Sequence, residues 1–307
     1  NLIETNAIQT ATGVLSSVDV DNAAGFTAQS NINGSSGYGK FSIDAVGQWT
    51  YTMNTAHDEF VAGKTYTDSF NATSADGTVK VVTVNITGTE DVAVISGTNT
   101  AGLLETNAAL TTSGQLTVSD ADSAKPVFMA QTNVNGSGGY GTFSVDVTGK
   151  WTYTMNGAHN EFSEGKIYND SITVKTSDGV SKLVTVSING TDDKSVITGA
   201  STATLTETNA IQAASGKLTA TDVDSSPAFI TQTAVKGLYG TFNLGTDGTW
   251  NYSMSTAHDE FAAGKAYLDT FSAKTLDGTT QSVTVTINGT NDAAVITGTS
   301  TAALIQS

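Results

Sequence analysis

The sequence contains no cysteine and no arginine, and it has only two prolines in 307 residues. Without cysteine, the fold has no disulfides, so it must be held by core packing or by a metal bound through other ligands. Without arginine, the chain lacks the forked donor that favours phosphate recognition, and all 13 of its basic residues are lysine. Nucleic acid is therefore not an expected partner.

Positive charge is also scarce relative to negative charge. The formal net charge is −16, which either keeps the chain soluble or binds cations. No apolar run approaches the roughly 20 residues that a membrane helix requires, so direct membrane insertion is not expected. No signal peptide is visible. The chain begins and ends inside partial copies of a repeated segment, and we expect it to be a fragment of something longer.

Three similar copies of one segment make up the chain. A Trp-x-Tyr-x-Met motif recurs at Trp49, Trp151 and Trp250, at intervals of about 100 residues. This period is too long for a solenoid repeat and suits a domain that folds independently. We therefore predict three domains, at 1–98, 99–199 and 200–298, and the start of a fourth repeat at 299–307.

Within each copy, apolar and polar residues alternate. Val82, Val84 and Ile86 are separated by Thr83 and Asn85, and the other two copies follow the same pattern. Such alternation predicts antiparallel strands with one buried face. About seven short strands and a buried tryptophan in ~100 residues predict three tandem immunoglobulin-like β-sandwich domains.

Two kinds of connection interrupt these strands. An Asp-Gly pair lies between strand patterns in every copy and predicts a hairpin. The segment 55–61 follows Asn54, a suitable helix N-cap, and precedes Gly63, so we predict a single helical turn there.

Acidic residues recur on both sides of each junction between copies. The glutamate of a Glu-Thr-Asn motif precedes an Asp-x-Asp pair by 15 positions in every copy, and the previous copy ends in an acidic pair. If the chain turns midway between the glutamate and the first aspartate, carboxylates from three stretches converge at the junction. The first junction is then predicted to gather Glu90, Asp91, Glu105, Asp120 and Asp122, and the second Asp192, Asp193, Glu207, Asp222 and Asp224. The equivalent residues at the two ends of the chain are Glu4, Asp19, Asp21 and Asp292.

Converging carboxylates need a positive counter-charge, because each raises the pKa of the others. Calcium accepts 6–8 oxygen ligands and mixes carboxylates with backbone carbonyls, so Ca²⁺ is the predicted ion. The spacing is not that of an EF-hand, since Ala23 stands where that loop needs Asp or Asn, and Ser30 where it needs Glu. The alternative is that these acidic loops only keep the surface soluble.

Further motifs recur in one order in all three copies. A Tyr-Gly pair precedes Gly-x-Trp-x-Tyr, then come Asp-x-Phe (Asp-x-Ile in the second copy), Asp-Gly, and a terminal Ile-x-Gly-Thr-x-Asp. This order resembles the VCBS-type repeat of very large bacterial RTX adhesins, many of them exported by type I secretion. The resemblance implies cadherin-like or immunoglobulin-like sandwiches in tandem arrays, with calcium at the linkers and a role in biofilm formation or attachment. The chain departs from that family at Ala93, Ser195 and Ala294, where proline is frequent.

The resulting functional hypothesis is structural. We expect a segment of the extender of a secreted or cell-surface bacterial adhesin, forming a linear, monomeric rod of all-β domains. Its partners would be the neighbouring repeats of the same chain, and the ultimate ligand would be bound elsewhere in the parent protein. The alternative is an adhesive module whose sandwiches themselves bind a glycan or another surface ligand.

Other residues attract attention but have simpler explanations. The tryptophans and tyrosines alternate onto the apolar face, which indicates core packing rather than sugar stacking. His57, His159 and His258 have no accompanying nucleophile motif, so we expect local packing and no enzymatic activity. Asp68, Asp170 and Asp269 share the parity of apolar neighbours, which predicts buried carboxylates bonded to the backbone; the alternative is a second metal site.

Overall fold

The computed structural model describes residues 1–123, 126–301 and 303. Residues 302 and 304–307, which belong to the predicted start of a fourth repeat, lie outside the described residues. The regular structure of the described residues is entirely β-strand, so the all-β prediction is confirmed. No helix in the described part of the chain is long and apolar enough to cross a membrane.

The helical turn predicted at 55–61 is wrong. The N–H of Phe60 donates to the carbonyl of His57 at 2.9 Å and closes a β-turn. His57 adopts a positive φ of 62°, which a right-handed helix does not accommodate. The same turn, with the same positive φ at the histidine, recurs at His159 and His258.

The strands recur in one order through the chain. The first seven are β1 (Leu2–Ile3), β2 (Thr10–Val14), β3 (Gln29–Asn33), β4 (Gly39–Ile43), β5 (Gln48–Met53), β6 (Thr65–Thr73) and β7 (Val79–Thr87). The next eight are β8 (Val94–Gly97), β9 (Thr100–Leu104), β10 (Thr111–Ser119), β11 (Gln131–Asn135), β12 (Gly141–Val145), β13 (Lys150–Met155), β14 (Ile167–Lys175) and β15 (Ser181–Asn189). The last eight are β16 (Val196–Gly199), β17 (Thr202–Thr206), β18 (Ala213–Thr221), β19 (Gln232–Lys236), β20 (Gly240–Leu244), β21 (Thr249–Met254), β22 (Ala266–Lys274) and β23 (Thr280–Asn288).

Each repeat forms one three-stranded sheet and one larger sheet. The three-stranded sheets have the orders β1-β7-β6, β14-β15-β9 and β17-β23-β22. The larger sheets have the orders β2-β5-β4-β3, β11-β12-β13-β10-β8 and β16-β18-β21-β20-β19. The predicted Asp-Gly hairpins are confirmed in the β6–β7 and β22–β23 pairs, which are antiparallel.

The short strands after the ends of β7 and β15 pair forward along the chain. Val94 in β8 lies opposite Ser119 in β10, and Val196 in β16 lies opposite Thr221 in β18. The segment that ends one repeat therefore contributes a strand to the larger sheet of the next. The domain boundaries at 98/99 and 199/200 stay predictions.

The chain divides into two compact units. The first comprises the described residues of Asn1–Leu103, Leu110–Gly157 and Asn169–Ser187, and the second those of Leu104–Ala109, Ala158–Tyr168 and Ile188–Ser307. In the first unit, Phe41, Tyr51 and Met53 of the larger sheet pack with Phe70 and Ile86 of the three-stranded sheet. In the second unit, the corresponding core contains Phe242, Trp250, Tyr252, Phe271 and Ile287. Residues from both sheets thus share one core, as a β-sandwich requires.

The tryptophans stack against glycines on the neighbouring strand. Trp151 is fully buried opposite Gly114, and Trp250 is fully buried opposite Gly216. A Cβ placed on Gly114 would lie 2.6 Å from the Trp151 indole. The close approach requires glycine, because any side chain would collide with the ring.

A buried carboxylate ties the two sheets together. Asp68 is completely buried and accepts the N–H of Ser36, Tyr38 and Gly39 at 2.9, 3.1 and 3.0 Å. The Tyr51 hydroxyl also donates to Asp68, at 3.2 Å. Burial, together with the negative charge of Asp68, raises the pKa of Tyr51. The predicted role of this aspartate, bonded to the backbone, is confirmed.

The glycine beneath the tryptophan gives a matched test of core packing. Gly114→Ala is expected to lower the free energy of unfolding by about 1–3 kcal/mol, because the new methyl group overpacks the indole. Gly102→Ala is the control, since a Cβ at Gly102 meets no atom within 4 Å. Its effect is expected to stay within about 0.5 kcal/mol. Urea denaturation followed by tryptophan fluorescence measures both, and equal effects of the two variants would contradict the packing described.

Candidate cation sites at the ends of the repeats

The first strand of each repeat runs parallel to the last, and this places its glutamate. β1 pairs with β7 in parallel, with Ile3 opposite Thr87, so Glu4 lies where β7 ends. The Glu4 N–H donates to the Thr87 carbonyl at 2.8 Å, and the Thr89 hydroxyl donates to Glu4 Oε2 at 2.6 Å. Glu4 is completely buried at the C-terminal end of its own repeat.

Glu105 and Glu207 occupy the same place in the other repeats. Glu105 accepts the Thr191 hydroxyl at 2.5 Å, and Glu207 accepts the Thr290 hydroxyl at 2.7 Å. The predicted grouping of Glu105 with Asp120, and of Glu207 with Asp222, is therefore wrong. The chain turns between Leu104 and Thr111 rather than midway, and β10 then runs nine residues back along the sandwich. In the third repeat, β18 likewise runs for nine residues between the turn after Glu207 and Asp222, which at ~3.3 Å per residue is roughly 30 Å of strand.

The buried glutamate belongs to a group that we call the end cluster of its repeat. In the first repeat it consists of Glu4, Asp58 and Asp91, whose carboxylate oxygens lie within 4.8 Å of one another. Glu207, Asp259 and Asp292 form the same cluster in the third repeat. In the second repeat, the corresponding sequence positions are occupied by Glu105, Asn160 and Asp193, so one of the three carboxylates is replaced by an amide.

A second group, the entry cluster, joins the end of one repeat to the start of the next. It consists of Glu90, Asp120 and Asp122, which also lie within 4.8 Å of one another. Asp120 accepts the N–H groups of Asp122 and Ser123 at 3.2 and 2.9 Å, which holds the Asp-x-Asp loop in shape. The first junction thus brings together four of its five predicted residues, but in two groups rather than one.

Many of these oxygens are buried and accept no hydrogen bond. A buried carboxylate oxygen without a donor is costly, so a cluster that contains several such oxygens is suited to binding a positive charge. In the three end clusters they are Glu4 Oε1, Asp58 Oδ1, Asp91 Oδ2, Glu105 Oε1, Asn160 Oδ1, Asp193 Oδ2, Glu207 Oε1 and Asp292 Oδ2. In the entry cluster they are Asp120 Oδ2 and Asp122 Oδ1.

The electrostatics of the clusters agree with this reading. Burial raises the pKa of Asp91, and the charges of Glu4 and Asp58 raise it further. The pKa of Asp122 is raised by its hydrogen bond with the Asp120 carboxyl and then by burial and Glu90. A bound cation would reverse these shifts by stabilising the ionised forms.

The second junction gathers its predicted aspartates differently. Asp222 Oδ2 accepts the Ser195 hydroxyl at 2.8 Å, and the Asp193 N–H donates to Asp224 Oδ1 at 3.4 Å. Burial raises the pKa of Asp192, and the charges of Asp277 and Asp222 act in the same direction. The protein thus supplies donors to Asp222 and to Asp224 Oδ1 here, while Asp224 Oδ2 is buried without one.

Asp19 and Asp21 belong to no group of three acidic residues found among the described residues, although the charge of Asp76 acts on Asp19. Asp19 accepts the N–H groups of Asp21 and Asn22 at 3.1 and 3.0 Å, and these amide bonds lower its pKa. The loop has the same Asp-x-Asp turn as the entry cluster, but neither residue belongs to an acidic group found among the described residues.

Sequence reasoning missed Asp58 and Asp259 as members of the clusters. The signal was present, since each follows a histidine in an Ala-His-(Asp/Asn)-Glu-Phe segment. The prediction of local packing for the histidines is confirmed at His57, which bonds Glu59 Oε1 at 2.6 Å and the Tyr38 carbonyl at 2.8 Å. The histidine fixes the turn that carries Asp58 to the end cluster.

The ligand set fits calcium. The donor-less atoms are all oxygens, most of them carboxylate, and the chain has no cysteine. Calcium takes several carboxylates at once in flexible geometry, whereas magnesium retains its waters. The residues that would hold the ion are those of the end and entry clusters.

Comparison with family models identifies a cadherin-like repeat in part of the chain. Residues 192–289, about a third of the chain, match the family model of the bacterial cadherin-like domain. No curated protein matches. Among solved structures, the chain is similar to the protocadherin GammaB4 extracellular domain, with 15% identity, 94% of this chain and 48% of that chain covered, and a TM-score of 0.49. Drosophila N-cadherin EC1-4 is similar with 14% identity, coverages of 89% and 68%, and a TM-score of 0.38. The chain spans about half the length of the protocadherin.

The two Asp-x-Asp loops provide a matched test of the entry cluster. Asp122→Asn is expected to weaken calcium binding at the first junction by about tenfold or more, because it removes one charged ligand. Asp19→Asn is expected to change binding by less than about twofold, because Asp19 belongs to no three-membered acidic group found among the described residues. Isothermal titration calorimetry of the full chain measures both, and equal losses would contradict the cluster described here.

Proposed function

We propose that this chain is a segment of the extender of a bacterial cell-surface adhesin, with calcium stiffening the junctions between its repeats. One observation carries the proposal. Glu90 and Asp91 are consecutive residues, yet Asp91 belongs to the end cluster of the first repeat and Glu90 to the entry cluster with Asp120 and Asp122. A cation in each cluster would fix this connecting segment to the sandwich on either side of it.

The chemistry asked of the ion is charge compensation. Without it, the carboxylates of Glu90, Asp120 and Asp122 repel one another, and the short connection is free to move apart. With it, residues from the end of β10 and from the connection share one metal, which removes that freedom. The ligands are already close together and partly buried before the cation binds. Cation binding therefore loses little conformational entropy of the protein.

The repeats would act as spacers within a larger parent protein. The three repeats, at 1–98, 99–199 and 200–298, act as domains whose partners are their neighbours in the chain. The order of motifs supports VCBS-type repeats of a large secreted RTX adhesin, with attachment or biofilm formation as its purpose. The ligand of the parent protein is then bound by another part of it, and nucleic acid and membrane lipid are not partners.

The alternative, glycan binding by the sandwiches themselves, has less support. Sugar-binding sites use exposed aromatic rings, whereas Trp151, Trp250 and Tyr51 are buried in the cores. A catalytic role for the histidines has less support too, because both ring nitrogens of His57 form hydrogen bonds that stabilise a turn.

Small-angle X-ray scattering of the full chain tests the extender role. In calcium, we expect a long particle with a narrow distribution of shapes, and after chelation a shorter average dimension or a broader distribution, because the junctions lose their metal. Magnesium at the same concentration serves as the control and should not restore the calcium curve. Superimposable curves with and without calcium would show that the acidic clusters do not stiffen the chain.

A further inference from the structure

The two junctions are built from matching residues but are closed in different ways. At the second junction, the Ser195 hydroxyl donates to Asp222 Oδ2 at 2.8 Å, and the Ser195 N–H donates to Asp277 Oδ2 at 2.7 Å. A third bond runs from the Ser163 hydroxyl to the Asp224 carbonyl at 3.0 Å. These bonds connect Ser163 and Ser195 to the Asp-x-Asp loop of the third repeat and to its turn between β22 and β23, without any metal.

The first junction lacks both hydroxyl groups. Ala93 stands at the position of Ser195, and Val61 at the position of Ser163. Among the described residues, no side-chain hydrogen bond joins residues 88–93 to residues 120–123. Asp120 Oδ2, whose counterpart in Asp222 accepts the serine, is buried without a donor.

The two junctions also differ in charge, and the first is the more negative of the two. At the second junction, Lys194 replaces Val92 and Asn160 replaces Asp58, so the matching positions carry less negative charge. Asp277 accepts bonds from Thr275, Thr279 and the Ser195 amide, and these outweigh burial and lower its pKa. At the first junction the six carboxylates of the two clusters have no lysine or serine in the corresponding places.

We propose that the first junction depends on a divalent cation for its closure, whereas the second is closed mainly by the hydrogen bonds of Ser195 and Ser163 and keeps its closure when the cation is removed. This inference rests on the proposed calcium binding and adds that its mechanical effect is unequal along the chain. The chain would then respond to falling calcium by loosening at one defined place, Gly88–Ala93, rather than at every junction at once.

Hydrogen exchange of the full chain, followed by mass spectrometry, locates the response. After calcium removal, peptides covering 88–98 and 115–123 are expected to exchange about tenfold faster, because the connection opens locally. Peptides covering 190–200 and 217–225 are expected to change by less than about threefold, since the serine bonds remain. Core peptides of β7 and β23 should not change in either repeat.

Two reciprocal variants test the cause. Ser195→Ala removes the hydroxyl bond to Asp222 but keeps the N–H bond to Asp277 and the Ser163 bond. It should therefore make peptides 190–200 more sensitive to calcium, part of the way to the sensitivity of peptides 88–98. Ala93→Ser introduces the hydroxyl at the first junction and should reduce the response there by about threefold or more. Circular dichroism of each variant confirms that the sandwiches are folded, and if one variant fails to fold, the other still tests the cause.

The outcomes separate this inference from the proposed function. Equal responses at both junctions of the unaltered chain would overturn the inequality and leave calcium-dependent stiffening intact. A response at neither junction would overturn calcium-dependent stiffening itself. An unequal response that neither serine variant alters would overturn the role assigned to the hydroxyl groups.

Discussion

Repulsion between buried carboxylates that have no hydrogen-bond donors is the constraint on which the ends of each repeat depend. Glu4, Glu105 and Glu207 are almost completely buried, and each leaves one oxygen without a donor beside an aspartate in the same condition. A fold does not keep such groups buried unless another interaction compensates for them. A cation at this place would compensate all of them at once, and it would account for the recurrence of the same oxygens in three repeats.

The strand pairing of the sandwich places these carboxylates at the ends of each repeat. The parallel pairing of the first strand with the last brings the buried glutamate to the C-terminal end of the repeat. The larger sheet carries the Asp-x-Asp loop to the opposite end, where the acidic pair of the preceding repeat arrives. Each tryptophan packs against a glycine of the neighbouring strand, and a buried aspartate accepts three backbone N–H groups. These contacts hold the two sheets in the register that places the glutamate and the Asp-x-Asp loop. The geometry of the acidic clusters therefore depends on the packing of the core.

The fold was predictable because its signals are local and occur three times. Alternation in 82–86 and the Asp-Gly hairpins depend only on neighbouring residues, and the structure has them as expected. The placement of Glu105 was not predictable in the same way, because it depends on a parallel pairing between residues more than 80 positions apart. The helical turn at 55–61 failed because the positive φ of His57 is set by its bonds to Glu59 and Tyr38, which composition does not reveal. Asp58 was missed for the same reason, since only the folded turn shows that it meets Glu4.

Crystals of the chain grown in calcium, or soaked with a lanthanide in its place, allow the most direct measurement of the central claim. Anomalous scattering locates the ions without reference to any assumed ligand. Peaks are expected between Glu4, Asp58 and Asp91 and between Glu90, Asp120 and Asp122, at 2.3–2.6 Å from their oxygens. Occupation of these positions by lysine, amide or water donors, with no anomalous peak, would contradict the claim that the ends of the repeats are cation sites.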